Sequence, residues 1–146
     1  MGAEHDAEIT VDAHGNALAD GGISATLRDA GRVGLLAIDR GRGREGQVVP
    51  ESWIDDTIAG APDGPAAFLA GENAADYPPG AHYRNCWWVT EPGLPMFSAS
   101  GIHGQHIFVH VPSQTVVVKL SSSPEALNGP VRRATIAAVL AIADSL

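Results

Sequence analysis

Three histidines close together, His103, His106 and His110, invite a metal reading. On a strand, His106 and His110 share a face but stand about 13 Å apart at ~3.3 Å per residue, too far for one ion. His103 falls in a turn, and no carboxylate or thiol stands nearby at ligand spacing. Ordinary surface or turn histidines are the expectation, with no metal and no cofactor. The single cysteine, Cys86, forms no internal disulfide and no redox motif. The Gly-x-Ser-x-Gly nucleophile elbow is absent. The Ser-x-x-Lys arrangement, in which a lysine activates a serine, is absent too: the only lysine is Lys119, and Val116 stands three residues before it. Tyr83-Arg84-Asn85 matches the Tyr-x-Asn pattern that supplies a base beside such a serine, against the plainer reading of a tyrosine and an asparagine heading a strand. Composition neither places nor removes a Ser-His-Asp triad.

These residues need a frame, and Pro95 to Ser121 provides it. The spacing predicts antiparallel strands over Met96–Ile102, His106–Val111 and Thr115–Leu120, with turns at His103-Gly104 and Pro112-Ser113-Gln114. The middle strand alternates, with Ile107, Val109 and Val111 on one face and His106, Phe108 and His110 on the other. The last, TVVVKL, is apolar on both faces, so both are expected to be covered. Upstream, Tyr83–Thr90 reads as one strand, whose alternation sends Trp87 and Trp88 to opposite faces, one into the core.

Residues 1–22 read as an irregular connection. Ser24 or Thr26 caps a helix whose apolar face is Leu27, Ala30, Val33, Gly34, Ala37 and Ile38, with Arg28, Asp29, Arg32 and Asp39 opposite; Gly41 and Gly43 end it. A short helix follows Pro50, about Glu51 to Ala59, with Trp53 and Ile54 as buried anchors. Residues 60–82, rich in Gly, Pro, Ala and Asp, form a long loop, either a lid or a linker. The final helix, about Val131 to Ser145, carries ATIAAVLAIA and is expected to lie on a sheet, partly covered. The architecture predicted is α+β: about four antiparallel strands, the C-terminal helix on one face, and a helical segment before them. The expected division is 1–60 helical, 61–82 loop or linker, and 83–146 sheet plus helix.

The chain has 146 residues, 45% of them hydrophobic and 18% charged, as in a folded globular protein about one domain in size. A net charge of −8 and the lack of a basic cluster argue against nucleic acid and anionic membrane surfaces as partners. No run approaches the ~18 apolar residues of a membrane span, and no signal-peptide pattern opens the chain, so a cytoplasmic location is the expectation.

The string GGISATLRDAGRVGLLAIDRGRGREGQVVPESWI resembles the helix-and-loop segment of serine hydrolases in the β-lactamase-related superfamily, the class C and penicillin-binding-protein-like group. YRNCWWV and FSASGIHGQHIFVHVPSQTVVVKLSSSP resemble its sheet segment, nearest the 6-aminohexanoate-dimer hydrolase branch. The likeness runs from about Gly2 to the end. It implies the C-terminal portion of a β-lactamase/transpeptidase-like fold. In that group the third strand carries Lys-Thr-Gly or His-x-Gly at the edge of the active site. The matching triplet here is Ala99-Ser100-Gly101, a departure that fits esterases and amidases better than β-lactam recognition.

The resemblance implies that the backbone N–H of Ile102 serves as oxyanion donor, and that Trp88, Ser100, Gly101 and His103 contact substrate. Trp88 has a core role as its alternative, and His103 that of a turn residue. It further implies hydrolysis of a small-molecule amide or ester through an acyl-serine intermediate. The Ser-x-x-Lys nucleophile is expected on a missing N-terminal half, so this chain alone is expected to be inactive. A non-catalytic ligand- or partner-binding module derived from the same fold is the alternative.

Overall fold

The computed structural model describes residues 1–19, 21–71 and 77–146. Its centre is a five-stranded antiparallel meander: β5 (His82–Arg84), β6 (Trp87–Val89), β7 (Met96–Gly101), β8 (Gln105–His110) and β9 (Thr115–Lys119), neighbours in that order. Helices cover both faces. α1 (Leu27–Ile38) and α2 (Glu51–Ala59) lie on one side, where Ala37, Ile38 and Ile54 pack with Trp87, Val89, Phe97 and Val109. α4 (Gly129–Asp144) lies on the other, setting Ile136 and Val139 against Met96 and Phe108. The alternation of β7 and β8 thus serves two cores at once, odd residues toward α1 and even ones toward α4.

Side chains cap the starts of α1 and α4, with Thr26 rather than Ser24 at the first. Thr26 accepts from the Asp29 amide at 3.1 Å to open α1, and Asn128 accepts from the Val131 amide at 2.9 Å to open α4. Gly34 lets α1 lie close on the sheet, since a Cβ there would stand 2.4 Å from a Val116 methyl. Short pairs complete the outline: β1 (Glu8–Ile9) with β2 (Ile23–Ser24), and β3 (Arg42–Gly43) with β4 (Gly46–Gln47). β1 and an antiparallel bridge between Val11 and Ala17 give residues 1–19 more regular pairing than an irregular connection.

Several expectations need correction. Tyr83–Thr90 is a hairpin rather than one strand: Asn85 and Cys86, both at positive φ (52° and 66°), turn the chain so that Tyr83 pairs with Trp88. This is why the sheet has five strands instead of about four. The stretch 60–82 is not all loop, because α3 (Gly64–Leu69) forms within it and brings Phe68 onto Trp88; residues 72–76 of the stretch lie outside the described residues. Trp53 is no anchor: it sits at the surface while Ile54 and Thr57 carry the burial of α2. Asp29 does not face water. It is 4% exposed, and its carboxylate accepts from the Glu4 and His5 amides, the Thr26 hydroxyl and Arg32. These bonds tie the N-terminal segment to α1.

β9 is covered on both faces, by α1 through Val116 and Val118 and by the α4 cluster through Val117. Its outer edge has no strand neighbour among the described residues. Among those residues, no helix is long and apolar enough to cross a membrane.

Candidate active site

Strand pairing assembles the site. β7 and β8 pair Ser98 with Phe108, Ser100 with His106, and Gly101 with Gln105, and β6 adds Trp88 opposite Ser98. All the even-numbered members face α4. There a cavity of about 320 Å³ opens between the sheet, the 123–128 loop and the first turns of α4. Trp88, Ser100, Gly101 and Ile102 all line it. Ile102 is 60% exposed, at the point where β7 ends and a single 3-10 turn begins. Ala99 points the other way, into the core under α1.

His103 is not brought to this wall. It holds a left-handed conformation (φ 59°), its amide donates to the Ala126 carbonyl at 3.0 Å, and its ring Nδ1 lies 2.9 Å from the Ser123 carbonyl. A carbonyl only accepts, so that nitrogen carries the proton. His103 therefore works as a clasp for the loop that closes the cavity. Gln105 clasps the same loop through both the amide and the carbonyl of Ser121. Lys119, the sole lysine, donates to the Gly104 carbonyl at 3.3 Å. His110 bonds Ser113 at 2.7 Å across the β8–β9 turn.

The aromatic side of the cavity is built around Trp88. Its ring lies 4.8 Å from Tyr83, 5.7 Å from Phe68 (edge-on) and 6.1 Å from Tyr77 (near parallel). The Arg132 guanidinium stands 4.4 Å above Tyr77 and pairs with Glu91 at 3.7 Å.

Sequence reasoning missed three contributors: the 123–128 loop, the start of α4, and His106. The His106 ring is buried, stacks on Phe108 at 4.9 Å, and places Nδ1 3.1 Å from Ser100 Oγ, which in turn lies 3.2 Å from Ser98 Oγ. Burial above all, then the positive charges of Lys119 and Arg132, lower its pKa to about 4, so the ring is neutral at physiological pH. Counting residues outward from the His103-Gly104 turn would have paired Ser100 with His106. Among the described residues, no three His, Cys, Asp or Glu side chains are grouped to hold a metal ion.

No family model matches the chain. The chain is 37% identical over 125 residues to the 6-aminohexanoate-dimer hydrolase of Paenarthrobacter ureafaciens, an alignment that covers 86% of the chain and 31% of that protein. Its structure superposes on a putative 6-aminohexanoate-dimer hydrolase from Bacillus anthracis with a TM-score of 0.79 and 25% identity, over 97% of the chain and 34% of that one. The chain thus spans about a third of the length of both relatives.

Proposed function

From the premise that this chain is related to part of the 6-aminohexanoate-dimer hydrolases and carries a fragment of their hydrolase fold, we propose that it forms the oxyanion-side wall of a serine hydrolase cleft. The observation that carries this reading is the exposed Gly101–Ile102 step at the end of β7, on the rim of the 320 Å³ cavity. A main-chain N–H fixed on a strand needs little reorganisation to face a developing alkoxide, and one such donor is typically worth ~3 kcal/mol. Gly101 allows close approach of the substrate, Trp88 forms an apolar wall, and Ser100 offers a hydroxyl between them.

In the proposed reaction, a serine from the Ser-x-x-Lys motif of a preceding polypeptide attacks an amide or ester carbonyl. The Ile102 N–H and the nucleophile's own N–H hold the oxyanion, and water then releases the acyl group. This chain would represent the C-terminal part of such an enzyme, with small-molecule amides or esters as substrates.

The test is to incubate the purified chain with p-nitrophenyl esters and a fluorophosphonate probe. The expected outcome is no hydrolysis above buffer and no labelled serine. A labelled serine would show that the chain carries its own nucleophile and would overturn the proposal.

A further inference from the structure

His106 has no part in the reaction proposed above, yet it is placed too deliberately for a surface histidine. It lies directly opposite Ser100 in the β7–β8 pairing, on the face that lines the cavity. The residue is 9% exposed, and its ring stacks on Phe108 with centres 4.9 Å apart and planes 27° inclined. Its Nδ1 reaches Ser100 Oγ at 3.1 Å, and Ser98 Oγ stands 3.2 Å beyond. Ser98 is itself buried, leaving Ser100 as the member of this chain nearest the cavity mouth. A serine hydroxyl rotates freely and loses hydrogen-bonding precision unless its proton or a lone pair is claimed.

We propose that His106 is a positioning residue. Resting on the cleft reading above, the inference is that its uncharged imidazole accepts the Ser100 O–H at Nδ1, so that a Ser100 lone pair faces the N–H of a bound amide substrate. Neutrality matters, because an imidazolium could only donate, and would turn the Ser100 lone pairs inward. The charged groups around the ring favour the neutral state. Lys119 on β9 pairs opposite His106, Arg132 projects from α4, and Glu125, the one carboxylate lining the cavity among the described residues, lies in the loop.

The experiment uses the full chain, with N-butylhexanamide as the probe and intrinsic tryptophan fluorescence as the binding readout. His106→Leu removes the Ser100 bond at similar volume, whereas His106→Asn keeps an amide near the place of Nδ1. Expected is a loss of affinity of about fivefold in His106→Leu, the size of one hydrogen bond, and near wild-type affinity in His106→Asn. Wild-type affinity should stay flat with falling pH until the ring protonates near pH 4, and His106→Asn should lack that fall. A purely structural histidine would leave the two variants alike, and that result overturns the inference while leaving the cleft reading intact. Failure of the wild-type chain to bind the amide at all overturns the cleft reading itself, and the inference with it.

Discussion

At the scale of single residues, the chain's acid response separates into two parts. The unfolded chain protonates His106 near pH 6.5 while the folded one resists until about pH 4. Between those values the unfolded state binds more protons, so stability falls as pH falls, by as much as roughly 3 kcal/mol. Denaturant unfolding at stepped pH should show this slope, and His106→Asn should lack it. Asp29 answers lower down. Its bond from the Glu4 amide, helped by Thr26, Arg32 and His5, outweighs desolvation and holds its pKa near 2 against 3.8 unfolded. Its stabilisation is complete above pH 3.8 and is lost as pH drops toward 2. Asp29→Asn should therefore remove the acid-limb component below pH 3.8 and leave the His106 slope unchanged.

At the scale of elements, two turns of chain carry testable strain. The β5–β6 hairpin places Cys86 at φ 66°, a left-handed conformation that a side chain makes costly and that glycine adopts freely. Cys86→Gly is expected to raise stability by roughly 0.5 kcal/mol, the relief being partly offset by a more flexible unfolded chain. A lower unfolding midpoint would contradict the hairpin geometry. In α1, Gly34 meets Val116 so closely that an added methyl must displace the helix or the strand. Alanine normally favours helix by about 1 kcal/mol, yet Gly34→Ala should destabilise by roughly 1–2 kcal/mol, because β-branched Val116 cannot swing aside. Combining it with Val116→Ala should recover part of that loss. Both sites were only half legible: the turn signal and the helical glycine stand in the sequence, but their cost depends on which strand lies beneath.

At the scale of the whole molecule, the open side of β9 decides behaviour in solution. TVVVK is β-branched, bears one charge, and ends the sheet order among the described residues. The net charge of −8 opposes association at low salt and is screened at high salt. Sedimentation velocity should find the isolated chain monomeric at low ionic strength and self-associating at high. A monomer in both would mean that the edge is protected. The relatives are about three times as long as this chain, so further polypeptide that could cover such an edge has a place in them.

The sequence alone determined what is local. It set the three strands from Met96 to Lys119, the bounds of α2, Thr26 as one of two candidate caps for α1, and the alternation that sends Trp87 and Trp88 to opposite faces, since side-chain period and turn chemistry act over a few residues. Resemblance, not periodicity, singled out Ser100, Gly101 and Ile102. Tertiary structure decided what depends on long-range closure: Trp87 rather than Trp88 in the core, the loop pinned by His103, the burial of Asp29, and which helices cover the two faces of the sheet. A side chain's partners under a helix or a distant loop are chosen by how all the apolar faces close together, and no window along the chain contains that choice.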